Sequence, residues 1–174
     1  MAKTTDYIKT VGQIVEALEK LGLTPVLIGG MALVILGSRR VTRDYDFLIS
    51  YDIRSLAALV NIFYKKGFEL ASKINDNGDI VSTIDNEKIA GVRLRLDAPS
   101  SVHFLNRKTG LRVDLLFDFP LPAGEVASRA QIKKVRSTIF HVASKEDLLR
   151  LKEIAHKDRS LATDAEDLKF LKRK

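Results

Sequence analysis

Asp44, Asp46, Asp114 and the pair Gly29-Gly30 are the residues of this chain whose types and spacing suit chemistry on phosphates. Asp44 and Asp46 lie in Asp44-Tyr45-Asp46-Phe47-Leu48-Ile49, which alternates like a strand. Residues two apart on a strand share a face and sit roughly 6 to 7 Å apart along the chain. In Leu111-Arg112-Val113-Asp114-Leu115-Leu116, Asp114 faces away from Val113 and Leu115. Three aspartates meeting in one cleft repel one another, and leaving them without a partner is costly. A pair of Mg²⁺ ions, or Mn²⁺ in their place, resolves the repulsion, because hard cations take carboxylate oxygens and keep positions for substrate phosphates. In two-metal phosphoryl or nucleotidyl transfer, ions roughly 3.5 to 4 Å apart stabilise the attacking and leaving oxygens.

The glycine pair supplies the complementary half. It follows the apolar run Val26-Leu27-Ile28 and precedes a short apolar helix expected from Met31 to Leu36, closed by Gly37. Without side chains there, a triphosphate can approach the backbone, and N–H groups at the helix start favour its charge. Ser38, Arg39 and Arg40, in the basic turn that leads to Asp44, add donors and positive charge.

The rest of the chain must hold these groups. At 174 residues, a single domain with a sizeable core is expected. No segment approaches the about 20 apolar residues of a membrane span, and the polar N-terminus does not read as a signal peptide. With no cysteine, disulfides and thiolate zinc sites are excluded, and a reducing, cytoplasmic setting is expected. A net charge of +7 favours polyanionic partners.

Helical spacing places an amphipathic helix from about Thr5 to Leu21, and a second after Asp52 with the stripe Ile53, Leu56, Leu59, Val60 and Phe63. Phe68-Glu69-Leu70 reads as a short strand and Asn75–Asp79 as a loop. Lys88 to Asp97 alternates and reads as a strand, with Val92, Leu94 and Leu96 on one face. Val102–Leu105 and Leu111–Phe117 read as a hairpin around Asn106–Gly110. A short helix over Gly124–Ala130 and a strand over Thr138–Val142 follow. Ser144-Lys145-Glu146-Asp147 resembles a capping box and opens a helix with Leu148, Leu149, Leu151 and Ile154; a charged helix over Thr163–Leu171 ends the chain. The pattern predicts an α/β (α+β) domain, a mixed sheet with helices packed on one face, its core over about 5–142 and a C-terminal helical segment over about 144–174.

Gly29-Gly30-x-Ala32, then Gly37-x-x-Arg40-x-Thr42-x-Asp44-x-Asp46, resembles the signature of the DNA polymerase β-type nucleotidyltransferase superfamily, and within it the small bacterial branch of the AbiEii-type abortive-infection toxins. Val113-Asp114-Leu115-Leu116 is similar to the third-carboxylate strand, and Lys152 with Asp164-x-x-Asp167-Leu168 resembles the closing helices. The resemblance implies a nucleotidyltransferase fold in which Asp44 and Asp46 bind the metals that grip an NTP. Asp114 would bind the catalytic metal and help deprotonate an acceptor hydroxyl, which attacks the α-phosphate and expels pyrophosphate. Gly29, Gly30, Ser38, Arg39, Arg40, Thr42 and Lys152 would contact the nucleotide. The family often carries serine at the position of Gly30, and His156–Thr163 lengthens the spacing from Lys152 to the final aspartates. Membership of Asp164 and Asp167 in the site therefore stays open, as does that of Asp118, four residues past Asp114. His103, His141 and His156 show no ligand-like spacing.

Three functions fit these residues. The first is a toxin-type enzyme that transfers nucleotides to RNA, tRNA included, with a cognate antitoxin as partner. The second keeps the chemistry with a small acceptor, as in antibiotic nucleotidyltransferases; a cationic drug calls for an acidic pocket, which a charge of +7 does not suggest. The third is a nucleic-acid or partner-binding module of the same fold without turnover.

Overall fold

The computed structural model describes residues 3–159 and 162–173, with side chains described for 7–157 and 164–173. The elements run α1 (Lys3–Lys20), β1 (Val26–Ile28), α2 (Gly29–Ile35), β2 (Tyr45–Ile49), α3 (Leu56–Lys65), β3 (Phe68–Ile74), β4 (Ile80–Ile84), α4 (Glu87–Asp97), β5 (Ser101–Asn106), β6 (Arg112–Phe117), α5 (Ala123–Arg129), β7 (Gln131–Val135), β8 (Thr138–Val142), α6 (Lys145–Arg159) and α7 (Ala162–Leu171). The strands form one mixed sheet in the order β4-β3-β5-β6-β2-β1-β8-β7.

The alternation of β2 sets the two faces of the sheet. Tyr45, Phe47 and Ile49 are buried on one face, where Tyr45 and Phe47 both stack on Phe140 of β8. Val113 and Leu115 of β6 and Phe104 of β5 continue that face, each 0 % exposed, and Phe63 of α3 stacks on Phe104 with ring centroids 3.9 Å apart. Helix α1 closes it over β8 with Val11, Ile14, Val15 and Leu18. Burying these side chains contributes about 1.5–3 kcal/mol each before the entropy of ordering them is subtracted.

The opposite face carries the polar row. In the register, Ile28 of β1 lies beside Asp46 of β2, Asp46 beside Asp114 of β6, and Asp114 beside His103 of β5. Directly paired residues share a face, so one line across four adjacent strands brings together residues far apart in sequence. The β2–β6 pair is parallel, which requires a long crossover; here it consists of α3, β3, β4, α4 and β5.

Two parts of the sheet depart from the sequence expectation. Lys88–Asp97 is not a strand: α4 spans Glu87–Asp97, its N-terminus capped by Asn86, whose side chain accepts a hydrogen bond from the Ile89 N–H. Ala90 and Leu94, one helical turn apart, are the buried pair, while Val92 and Leu96 are exposed. The segment meets both periodicities, and the cap together with the i, i+4 pair decides for helix. β4 and β7, the two edges of the sheet, carry no clear apolar alternation, and β3 runs on past Leu70 to Ile74.

Elsewhere the elements lie close to where the sequence puts them. Asp52 accepts from the Arg54 N–H and opens a 3₁₀ turn ahead of α3, which leaves Ile53 outside the buried stripe. Ser144 caps α6, its hydroxyl accepting from the Asp147 N–H at 3.1 Å. The Asp147 carboxylate takes a two-pronged contact from Arg129 at 2.9 and 3.0 Å, which ties α5 to α6. No helix among the described residues is long and apolar enough to cross a membrane.

Candidate active site

Gly29 and Gly30 do not precede the helix; they are its first residues. Gly29 has φ +70°, a left-handed conformation, and a Cβ built there would lie 2.4 Å from Asp46 Oδ2. Glycine is needed twice over, for the backbone angle and for the carboxylate pressed against it. Gly29→Ala is expected to cost about 1–3 kcal/mol of stability and to push Asp46 out of its row. Thermal denaturation checks the first part, and loss of the raised Asp46 pKa described below checks the second.

Gly30 meets the guanidinium of Arg40 instead, with a built Cβ 2.9 Å from Cζ. A serine there, as the resemblance would have it, would require the Arg40 guanidinium to shift. Arg40 ion-pairs with Asp167 of α7. Lys152 of α6 bonds Asp164 at 3.1 Å and Asp167 at 3.0 Å. Lys152, Asp164 and Asp167 are buried at 8 %, 0 % and 3 % exposure. The aspartates left open in the sequence thus join Arg40 and Lys152 in a knot of ion pairs at the cleft wall.

The remaining expected contacts divide. The Ser38 hydroxyl accepts from the Arg40 N–H at 3.2 Å, holding the turn. Arg39 is exposed and Thr42 half-buried. Asp118 lies beyond the end of β6, and its carboxylate accepts from the Tyr51 and Ala123 N–H groups at 3.1 and 2.9 Å; it is a loop clamp, outside the row.

Asp114 has partners that the sequence reading did not identify. Arg112 Nε donates to its Oδ1 at 2.9 Å, and His103 Nδ1 lies 2.9 Å from the same oxygen. Burial pushes the Asp114 carboxyl up, but the hydrogen bonds and charges of His103 and Arg112 outweigh it and hold the group below the usual value. Asp46 goes the other way. Burial first, then the charge and hydrogen bond of Asp114, then Asp44, push it up to about 7, against the pull of Arg112. At neutral pH the pair therefore shares a proton, as like charges in contact do. Asp44 sits just before β2; partial desolvation and Asp114 raise it, while Arg112 and Arg43 act against that rise.

The donors fit a divalent hard cation in kind: carboxylate oxygens, with an apposed Asp46–Asp114 pair that needs a proton or a cation between its charges. Their enclosure is incomplete, since among the described residues no group of three His, Cys, Asp or Glu is gathered closely enough to hold an ion. Asp46 opens onto a cleft of about 450 Å³ that Gly29, Gly30, Arg40 and Lys152 also line, within the range of ligand pockets, roughly 300–1,000 Å³.

No protein-family model matches the chain, and no curated protein matches it. Solved structures do. An antigenic nucleotidyltransferase-like protein from Paracoccidioides brasiliensis superposes with a TM-score of 0.60 at 19 % identity, over 95 % of this chain and 75 % of that one. The lincosamide antibiotic adenylyltransferase LnuA, lincomycin-bound, gives 0.55 at 16 % identity, over 94 % of this chain and 95 % of that one. The antibiotic-resistance factor ANT(2″)-Ia gives 0.55 at 14 % identity, over 96 % and 83 %. Identities this low speak to architecture alone, and together with the mixed sheet and its row of acidic residues they make this chain a nucleotidyltransferase fold.

Proposed function

We propose that the protein is a metal-dependent nucleotidyltransferase that moves a nucleoside monophosphate from an NTP to a hydroxyl of RNA, tRNA among the candidates, in the manner of the AbiEii-type toxins, with a cognate antitoxin as partner. The observation that carries the reading is the contact of Asp46 with Asp114 across β2 and β6, directly against Gly29, at the wall of a ligand-sized cleft. Asp44, Asp46 and Asp114 would hold Mg²⁺, with Mn²⁺ as substitute, which would supply Lewis-acid polarisation of the phosphate and stabilise developing charge.

The chain's own groups account for the rest. Gly29 and Gly30 bring the start of α2 to the cleft wall, and Arg40 and Lys152, paired with the aspartates of α7, line the same cleft and would turn to the phosphates of a bound nucleotide. Asp114, kept anionic by Arg112 and His103, accepts the acceptor's hydroxyl proton. The freed oxygen bonds the α-phosphorus as the bond to the β-phosphate oxygen breaks, and pyrophosphate leaves with that electron pair. Binding both ends of the NTP in place lowers the entropic part of the barrier.

Transfer of label from each of the four α-labelled NTPs to RNA in a cell extract tests the proposal, with Asp44→Ala and Asp46→Ala as controls. Label in RNA that both substitutions remove supports it; no label from any NTP sinks it. A second reading, a small-molecule acceptor, draws support from the likeness to LnuA along nearly its whole length. Pyrophosphate release that depends on a lincosamide or aminoglycoside, with no labelled RNA, would decide for it. Nucleic-acid binding that is indifferent to Mg²⁺ and consumes no NTP would instead mark a binding module.

A further inference from the structure

Phe119 is 53 % exposed, while every other aromatic side chain among the described residues is buried or half-buried. A single exposed apolar residue is ordinary on a protein surface, and Val41 or Ile132 need no explanation. Phe119 differs in where it stands. It lines the same cleft as Gly29 and Asp46, together with Leu116, Pro120, Leu151 and Ile154. It is also held there: the preceding residue, Asp118, is tied by its carboxylate to backbone N–H groups on both sides of the loop, Tyr51 and Ala123. The ring is thus presented to the cleft without serving the core.

The polar side chains of the cleft wall are few. Among the described residues Arg40, Asp46 and Lys152 are the charged ones, and no Ser, Thr, Asn or Gln lines it. Arg40 and Lys152 are engaged with the aspartates of α7, and Asp46 with Asp114. Among the described residues no side-chain amide or hydroxyl is available there to read the hydrogen-bonding edge of a base, whereas an aromatic face and several aliphatic side chains are.

We infer that Phe119 is the stacking platform for the nucleobase of the donor nucleotide, which is held by ring and aliphatic contact and not read by side-chain hydrogen bonds. This rests on the nucleotidyltransferase reading above and names the part of that site that meets the base. Every base has a π-face, so stacking is tolerant of sequence. All four NTPs then bind, purines tighter than pyrimidines because their faces are larger.

The absence of tryptophan from the chain gives a direct test. Phe119→Trp places a sole indole in the cleft, and its emission is titrated with ATP, UTP and inorganic pyrophosphate in MgCl₂. Quenching by ATP, less by UTP and none by pyrophosphate is expected. Calorimetric titration of Phe119→Ala is expected to show ATP bound about tenfold more weakly than by the unsubstituted protein, with pyrophosphate affinity unchanged. Phe119→Leu, which keeps an apolar side chain, serves in its place if the alanine variant does not fold. Equal ATP affinity in the unsubstituted protein and either variant overturns the inference and leaves the transferase reading standing. So does tryptophan emission that ATP leaves unchanged, or that pyrophosphate quenches equally. If the unsubstituted protein binds neither ATP nor pyrophosphate, both fall.

Discussion

Asp46→Asn is expected to reduce nucleotidyl transfer by about a thousandfold or more while making the metal-free protein more stable at alkaline pH. The two effects have one origin. In the folded chain the Asp46 carboxyl is pushed up to about 7, against 3.8 as the ordinary value, because it is desolvated, half-buried and beside Asp114. Between those values the folded state holds a proton that the unfolded state has released. The contribution of Asp46 to the stability of the metal-free protein therefore falls as pH rises from about 4 to about 7 and levels off above that. Asparagine is neutral throughout and escapes this penalty. In EDTA, the melting temperature of Asp46→Asn should exceed that of the unsubstituted protein by several degrees at pH 8, and the gap should close near pH 4. A gap that stays constant across that range would show that Asp46 does not titrate as described. An asparagine variant with intact transfer activity would remove Asp46 from the chemistry.

Lys152→Met is expected to cost about 3–5 kcal/mol, the range for breaking a buried ion pair by removing one partner. In a domain of this size that corresponds to a fall in melting temperature on the order of 10 °C. Methionine fills the space of the stem, so packing changes little and the loss reports on charge. The knot then loses the cation that touches both Asp164 and Asp167, while Arg40 stays paired with Asp167. A melting temperature within a degree or two of the unsubstituted protein would mean that the knot opens to water in solution and that its ion pairs contribute nothing.

The sequence came close to one of the missed contacts. The hairpin around Asn106–Gly110 was legible, but counting outward from that turn pairs Leu105 with Leu111 and His103 with Val113; Asn106 in fact bonds Leu111, and this one-residue difference sets Leu105 beside Arg112 and His103 beside Asp114. Arg112 and Asp114, two apart on a strand, share a face by the same rule that joined Asp44 to Asp46. What hid them was the search for ligand-like spacing of histidines along the chain, when the relevant neighbour lay across it. α4 failed for another reason. Val92, Leu94 and Leu96 alternate with Arg93 and Arg95, a strand-like pattern, yet only Leu94 of the three is buried. β4 and β7 escaped notice because an edge strand with largely exposed side chains has no apolar rhythm to find.

The sequence by itself determined the local pieces: the aspartates at 44, 46 and 114, the glycines at 29 and 30, and the strands and turn that carry them. These features repeat or terminate over a few residues, and short-range patterns suffice to place them. The tertiary structure alone decided which charges meet. Arg40 and Asp167 lie far apart in the chain and touch only because α7 docks at the cleft wall, and the Asp46 carboxyl is pushed up because folding desolvates it and β6 lays Asp114 beside it. Partners so distant in sequence are fixed by how elements pack, and packing is a property of the whole core that no short stretch contains.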